Sequence, residues 1–437
     1  MLRSRLSRSW GVHVMRRSRG GLPRLAIAGT ALLTLVTACG GPPLAPPPTT
    51  VVIGFLADGD GEGADRSADA VRGVRLALDV VNRSFPDLAL PLAAGSGLPR
   101  LGGATLELVT AVTDSSPTEA VTRVNGLVGG EHAVAVVVAD SADVAAAVGS
   151  EAQRLAVPLL DAASTADYLT ELGLDWYFRP GPTDRVFAET VFGLLQGRLG
   201  GTRGSRVGIV SEAGPVGAAG AVRLRELADR AGYAVVRQVQ VARTTAARRD
   251  QARQLSASAC DVVLAVAGAG ETVQGIAEIT GEMSGRAPVI GVGPAFAALR
   301  QRDIGSGAEI RSGPAVLRTA SWSAEFSRRS PVARPVAELY NRQFGTPMTP
   351  DAALAFTATL TLAAAIDGAG STQPAAIRAA LRKMSVPATQ MIMPWSGIRF
   401  DANGQNQLAA AVVEGLDGSR FRVTYPPELM VGRLIWS

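Results

Sequence analysis

Short runs of aliphatic residues alternate with longer segments of helical periodicity from residue 51 onward. After the first run, residues 51–56, the next segment places Val71, Val74, Leu78 and Val81 on one face of a helix. Further strands are predicted at 105–109, 133–138 and 157–160. Apolar strands separated by helices indicate a parallel sheet that is covered on both faces.

A helix start signal follows the second predicted strand. Ser116 can cap the helix, Pro117 suits its first position, and Glu119 completes a capping box. The spacing therefore predicts a helix that begins at residue 117.

The alternation of strands and helices then begins a second time. Strands are predicted at 206–210, 233–239, 261–266 and 288–292, and a helix after the first of them runs through Leu224 and Leu227. A chain of this length exceeds a single-core domain. Two successive series predict an α/β protein with two doubly wound αβα lobes.

The amino-terminal region has the order of an export signal. Arginines precede an apolar stretch at 25–36, and the run Leu35-Val36-Thr37-Ala38 ends directly before Cys39. The apolar stretch is far short of the roughly 20 residues that a spanning helix needs. We interpret residues 1–38 as a lipoprotein signal peptide, with Met1 or Met15 as the start, and Cys39 as the lipid attachment site. The proline-rich residues 39–50 are predicted to be a tether.

Removing this signal changes the charge of the protein. Residues 1–38 hold seven of the 43 basic residues and no acidic one, so 36 basic and 38 acidic residues remain, a net charge of −2. The high isoelectric point thus belongs to the signal, and nucleic acid is not an expected partner. Cys260 is then the one remaining thiol, so no intramolecular disulfide is expected.

Candidate catalytic and cofactor motifs are weak. His132 is the one histidine after the signal, which argues against a zinc site. The sequence also has no Gly-x-Ser-x-Gly elbow, which argues against a serine triad. Gly214, Gly217 and Gly220 lack the Gly-x-Gly turn that admits a pyrophosphate. We therefore expect no enzyme activity, no cofactor and no metal.

Several segments, in order, resemble the branched-chain amino acid (leucine/isoleucine/valine) binding proteins of ABC transporters. Residues 53–56, followed by the Arg-Gly-x-x-Leu-Ala helix at 72–77 and Asn82, resemble the opening of that family. The other similar segments are 157–165, 177–184, 367–370 with 377–381, and 397–404. Together they span nearly the whole chain after the tether.

The resemblance implies a type I periplasmic binding protein, with a ligand held between two lobes that are joined by three crossovers. The crossovers are then expected near 176–180, 313–322 and 397–400. On this basis the amino-terminal lobe comprises residues 51–177 plus 316–398, and the carboxy-terminal lobe comprises 178–315 plus 399–437.

The family also implies a first-lobe site in two loops. Ser141 follows the third strand and could offer its hydroxyl to a ligand carboxylate, or it could be an ordinary helix cap. Ala163, Ser164 and Thr165 occupy the place where relatives hold the α-amino and α-carboxyl groups. Thr165 is the strongest candidate, with a turn-forming threonine as the alternative.

The second lobe departs from the family pattern. Val216 stands where many relatives have a tyrosine that covers the ligand. Glu212, Glu271 and Asp60 are candidates for an ammonium partner, although each could equally be a solvated loop carboxylate. The ligand is therefore either not an ordinary α-amino acid, or the pocket has degenerated.

The resemblance predicts an extracytoplasmic solute-binding lipoprotein. It would capture an amino acid or a related small polar ligand for an ABC permease and touch the membrane only through its lipid. The alternative is a ligand-sensing or envelope-interaction lipoprotein that kept the fold but lost amino-acid uptake.

Overall fold

The structure is a computed structural model. It describes residues 48–59, 61–198, 205–268, 270–283, 287–297, 316–417 and 420–430, with the backbone alone at 61–64, 215 and 270–272. All of these belong to one compact unit, residues 47–437. Cys39, Asp60 and the signal peptide lie outside the described residues.

The first lobe is built on a parallel sheet of five strands. Its strands are β1 (Thr50–Ala57), β2 (Thr105–Val112), β3 (Val136–Ala139), β4 (Leu159–Asp161) and β5 (Tyr177–Phe178), in the order β2-β1-β3-β4-β5. Three helices connect the strands: α1 (Gly61–Asn82), α2 (Pro117–Asn125) and α3 (Ala142–Leu155). The chain returns to this lobe through α10 (Ala333–Phe344), α11 (Pro350–Ala369) and α12 (Pro374–Lys383).

The second lobe holds a larger sheet. After α4 (Asp184–Arg198) come β6 (Arg206–Ser211), α5 (Pro215–Ala231), β7 (Ala234–Gln240), α6 (Thr245–Ala257), β8 (Val262–Val266), α7 (Gly270–Gly281), β9 (Val289–Val292), α8 (Pro294–Ala297) and β10 (Val316–Ala320). Helix α9 (Ala324–Arg329) follows β10, and β11 (Val386–Pro387) pairs with β12 (Gly397–Ile398) in the first lobe. Strands β13 (Val412–Asp417) and β14 (Arg420–Tyr425) complete a sheet in the order β14-β13-β10-β9-β8-β6-β7.

Both sheets are buried on both faces, as the apolar strands predict. In β1, Ile53 and Phe55 pack into one hydrophobic cluster, whereas Leu56 packs into another on the opposite face. In the second lobe, Ile209 and Val210 divide in the same way. Successive side chains of a strand point to opposite faces, so a strand covered on both sides is apolar throughout. The predicted two-lobed α/β fold is confirmed.

The predicted start of α2 is confirmed in its main feature. Ser116 accepts a hydrogen bond from Glu119 N at 3.3 Å, and Pro117 is the first helical residue. Among the described residues, the Glu119 carboxylate bonds to Arg123 at 2.6 Å rather than to the backbone of Ser116. The cap is therefore made, without the reciprocal half of a capping box.

The described chain passes between the lobes three times: after β5, after β10 and between β12 and β13. Strand β10 pairs with β9 and β13. The sequence-based boundary that placed residues 316–398 in the first lobe is therefore too early. Strand β10 belongs to the second-lobe sheet, and Glu325 on α9 still accepts a hydrogen bond from Val423 N of β14 at 3.3 Å. Because an isolated apolar strand does not reveal which sheet it joins, the sequence could not decide this point.

Helix α11 is long and apolar enough to cross a membrane, and it is the one such helix among the described residues. However, 78% of its most apolar window is buried inside the protein. It packs against α1 and against strands β3 and β4, and its buried residues belong to the first-lobe core.

Candidate functional site

A cavity lies between the two lobes, and residues from both line it. The space between the lining side chains amounts to about 370 Å³ when the part open to solvent is counted. The first lobe contributes Arg66, Ala163, Thr165, Pro350, Asp351 and Leu354. The second lobe and the crossovers contribute Pro182, Phe187, Pro294, Ala297 and Ser321. A cavity shared by two lobes is a usual place for a small ligand.

The loop after β4 is held in shape by Asp161. One oxygen of this carboxylate accepts hydrogen bonds from Ala163 N at 2.9 Å and Ser164 N at 2.8 Å. The other oxygen accepts a hydrogen bond from the Tyr177 hydroxyl at 2.6 Å. Burial raises the pKa of the Asp161 carboxyl above its ordinary value, against the lowering effect of these donors. The loop is thus fixed before any ligand arrives.

Thr165 joins this loop to the second lobe. Its hydroxyl donates to Asp184 Oδ1 at 2.6 Å, and its carbonyl accepts a hydrogen bond from Asp184 N at 2.7 Å. Burial raises the pKa of the Asp184 carboxyl. Thr165 lines the cavity as expected, but in this conformation its hydroxyl proton is already committed to a carboxylate at the start of α4.

The other first-lobe candidates divide. Ala163 lines the cavity. Ser164 is 8% exposed, and its hydroxyl donates to the Asp140 carbonyl at 3.3 Å. Ser141 caps α3 by accepting from Val144 N at 3.4 Å, and it is not part of the cavity wall. Ser141 is thus a helix cap, as the alternative interpretation expected. A role of Ser141 in ligand binding stays a prediction.

A buried arginine supports the loop from the hinge side. Arg179 is fully buried and donates to the Ala166 carbonyl at 2.6 Å, to Gln405 Oε1 at 2.7 Å and to Thr170 Oγ1 at 3.3 Å. Its backbone also pairs with the third crossover, because Arg179 N donates to Gly404 O at 2.8 Å. Arg179 therefore links two crossovers to the segment that follows Thr165.

An ion pair bridges the lobes beside this network. Arg223 on α5 contacts Asp167, which follows Thr165 by two residues, and its guanidinium lies 4.0 Å from Asp184. The side chains of Arg223 and Asp167 are 19% and 12% exposed. This pair lies where the lobes approach each other and favours the approach.

Two of the second-lobe candidates, Glu212 and Val216, are not part of the cavity wall. Glu212 is 9% exposed, and its carboxylate accepts a hydrogen bond from Gly268 N at 2.9 Å, which ties the ends of β6 and β8 together. Val216 is 57% exposed at the start of α5. Glu271 belongs to α7, but its side chain is outside the described residues. An ammonium-binding role for Glu212 or Glu271 stays a prediction.

The charged side chains of the described cavity wall, Arg66 and Asp351, are residues that the sequence analysis did not select. Arg66 on α1 donates to Asp351 Oδ1 from Nε at 3.2 Å and from Nη2 at 2.9 Å. The Asp351 carboxylate raises the pKa of the Arg66 guanidinium. These residues are 285 positions apart, and neither lies in a segment with a family resemblance. No local signal marked them.

Other chemistry is not assembled in the part of the chain that the structure describes. Within it, no group of three or more histidine, cysteine, aspartate or glutamate side chains could hold a metal ion. Burial raises the pKa of the Cys260 thiol, which makes it a poor nucleophile.

Two doubly wound lobes, three crossovers and a shared cavity define a protein of the two-lobed ligand-binding class. The family model described as "Periplasmic binding protein" matches residues 50–419, and the chain belongs to that family. Membership implies an extracytoplasmic location. A search of curated proteins found no match.

Solved structures with the same fold are numerous. An ABC transporter substrate-binding protein from Desulfitobacterium hafniense in complex with leucine is 18% identical, with a TM-score of 0.67 over 86% of this chain and 99% of that chain. The branched-chain amino acid binding protein LivJ from Streptococcus pneumoniae, in complex with isoleucine, is 21% identical, with a TM-score of 0.65 over 86% and 100%. An ABC transporter substrate-binding protein from Sphaerobacter thermophilus is 17% identical, with a TM-score of 0.69 over 89% and 98%.

Proposed function

We propose that this protein captures an amino acid or a related small polar ligand between its lobes and presents it to an ABC permease. The observation that carries the proposal is the cavity lined from both lobes, with charged and apolar side chains together in its wall. Solved relatives with this fold hold leucine or isoleucine. Closure of the lobes would desolvate the ligand and create the surface that the permease recognises.

The anchoring is part of the same proposal. Cys39 would carry the lipid, and residues 40–50 would connect it to β1, which begins at Thr50. The experiment is a Cys39→Ala variant in the native cell, followed by membrane fractionation. We expect the wild type in the membrane fraction and the variant outside it, whereas membrane association of both would exclude a lipid on Cys39.

A binding screen tests the ligand. The protein without residues 1–39 is heated with a panel of amino acids, amides, small peptides and polyamines, because a ligand that binds only the folded state raises the melting temperature. A shift with an amino acid supports the transport function. Silence across the panel would contradict it.

Thr165 variants locate the ligand. In Thr165→Ala, the half-buried Asp184 carboxylate loses a donor at 2.6 Å, so we expect both weaker binding and a loss of about 1 kcal/mol of stability. Thr165→Ser keeps the hydroxyl and should keep both properties. Unchanged affinity in the alanine variant would remove Thr165 from the site.

One observation favours the second candidate function, a sensor or envelope-interaction protein. The Ala163 and Ser164 N–H groups and the Thr165 hydroxyl already have partners within the protein. The site that relatives use for the amino-acid head group is thus internally satisfied. A protein that gives no shift with any panel member, yet co-purifies with envelope components and not with a permease, would fit this function.

A further inference from the structure

Among the described residues of the interlobe cavity wall, one arginine and one aspartate form a pair. Both donors of Arg66 that bond to Asp351, Nε and Nη2, reach the same oxygen, Oδ1. Among the described residues, Nη1 of Arg66 and Oδ2 of Asp351 have no hydrogen-bond partner. The two side chains are 34% and 21% exposed, so a ligand in the cavity can reach them.

A close helix crossing holds this pair in place. Arg66 lies seven residues, or two turns, before Gly73 on α1, and so on the same face. A Cβ at Gly73 would lie 2.1 Å from the carbonyl oxygen of Ala352, the residue after Asp351. The backbones of α1 and α11 therefore meet at this point. The Arg66–Asp351 pair therefore lies beside a close helix crossing.

The apolar part of the wall lies next to the charged pair. Leu354 is one helical turn after Asp351, and Phe187 faces the cavity from α4 of the second lobe. These residues are 8% and 2% exposed, so little water reaches them in this conformation. A ligand that fits this wall has charged groups at one end and an apolar body of modest size.

We propose that Arg66 and Asp351 bind the head group of a zwitterionic amino acid with an apolar side chain. Arg66 Nη1 donates to the ligand carboxylate, Asp351 Oδ2 accepts from the ligand ammonium group, and the side chain lies against Leu354 and Phe187. Charge balance favours a zwitterion, because a neutral ion pair gains no net charge when it binds one, whereas a simple carboxylate or amine would leave one charge unpaired. This inference rests on the proposed function, which it deepens.

The test uses the protein without residues 1–39 and isothermal titration with L-leucine. For Arg66→Gln and Asp351→Asn we expect about tenfold to hundredfold weaker binding, the effect of losing a charge-assisted hydrogen bond. The matched control is the exposed Arg123–Glu119 pair on α2, at 2.6 Å. Arg123→Gln should bind L-leucine as the wild type does. Thermal unfolding of each variant verifies that it is folded.

Two analogues assign the atoms. 4-Methylpentanoate has the leucine carboxylate without the ammonium group, and 3-methylbutylamine has the ammonium group without the carboxylate. Arg66→Gln should weaken the binding of 4-methylpentanoate. Asp351→Asn should leave that binding unchanged or make it tighter, because the variant removes a charge that repels the carboxylate. The amine should show the reverse dependence. Wild-type protein that binds 4-methylpentanoate as tightly as L-leucine would overturn the ammonium contact.

The outcomes separate this inference from the proposed function. If folded Arg66→Gln and Asp351→Asn variants bind L-leucine with wild-type affinity, the head-group assignment is wrong and the function stands. If the wild type binds polar amino acids from the panel but not L-leucine, the apolar wall is wrong. If it binds no zwitterion at all, the inference and the function fail together.

Discussion

The two sides of the cavity differ in how many polar groups they contain that are hydrogen-bonded within the protein. On the first lobe, Asp161, Thr165 and Arg179 fix the loop after β4 through hydrogen bonds at 2.6–2.9 Å. On the second lobe, Pro294, Ala297 and Phe187 present small or apolar surface. The first lobe is therefore a pre-formed platform, and the second lobe is a cover that excludes water.

Under the proposed function, this difference accounts for ligand selection by a site without the family tyrosine. Pre-organised groups lose little conformational freedom when they bind, so they contribute more to affinity than flexible ones. The Arg66–Asp351 pair belongs to the platform, because α1 and α11 are in backbone contact beside it. The cover needs only to close, and Arg223 with Asp167 provides an attraction between the lobes.

The largest expected effect comes from removing the buried arginine of the platform. Arg179→Met leaves the Ala166 carbonyl and Gln405 without their donors inside the protein. We expect a loss of about 3 kcal/mol in the free energy of unfolding, measured by chemical denaturation. Arg123→Met on the exposed face of α2 should change it by less than about 1 kcal/mol. A loss of less than about 1 kcal/mol for Arg179→Met would mean that Arg179 does not support the loop after β4.

The helix crossing of the platform is the next most sensitive point. Gly73→Ala forces a Cβ to within 2.1 Å of the Ala352 carbonyl, and we expect a loss of about 2 kcal/mol together with weaker ligand binding. Gly368→Ala on α11 has no atom within 4 Å of the new Cβ and should stabilise the protein by about 0.5–1 kcal/mol. Equal effects of the two substitutions on stability would contradict the close crossing.

The link between the lobes is expected to act on affinity more than on stability. Arg223→Gln removes the ion pair with Asp167 and should weaken ligand binding about twofold to fivefold by favouring the open form. Titration calorimetry measures the affinity. Arg225→Gln, on the same helix but bonded to Gln238 within the second lobe, is the control. Tighter binding in Arg223→Gln would show that the pair opposes closure.

The platform also predicts a pH dependence. Burial raises the pKa of Asp161 in the folded state above its unfolded value, so the folded protein binds this proton more tightly. The contribution of Asp161 to stability is complete below the unfolded pKa and is lost as the pH rises through the folded pKa. Asp161→Asn removes that contribution.

Urea denaturation between pH 7 and pH 4 measures this difference. As the pH falls, the wild type should gain stability relative to Asp161→Asn. A difference that stays constant over this range would show that the carboxyl does not titrate differently on folding.

The smallest expected effect concerns the cover. Val216→Tyr restores an aromatic ring at the position of the family tyrosine, and Val216 is 57% exposed, so stability should change by less than about 0.5 kcal/mol. A ring that reaches the ligand should tighten binding about threefold. Val222→Tyr, equally exposed on the same helix, is the control. Identical affinities for the two variants would place residue 216 away from the ligand.

Much of the architecture could be predicted, because the burial of a strand shows in the hydrophobicity of its own residues. Strands such as β1 and β8 are apolar on both faces, and the Ser116–Pro117 start of α2 is a signal within three residues. The place of β10 could not be predicted, because its five residues would suit a strand of either sheet. Thr165 and Ala163 were found through the family resemblance, and both line the cavity.

By itself the sequence determined two α/β lobes and the loop that carries Thr165, and it predicts an export signal before Cys39, since each depends on neighbours in the chain. Only the tertiary structure decided that Thr165 donates to Asp184, that Arg179 lies beneath the loop, and that Arg66 meets Asp351 across 285 positions. Such pairs depend on where helices cross and lobes meet. The packing of distant segments sets those positions, and they cannot be predicted from the order of residues along the chain.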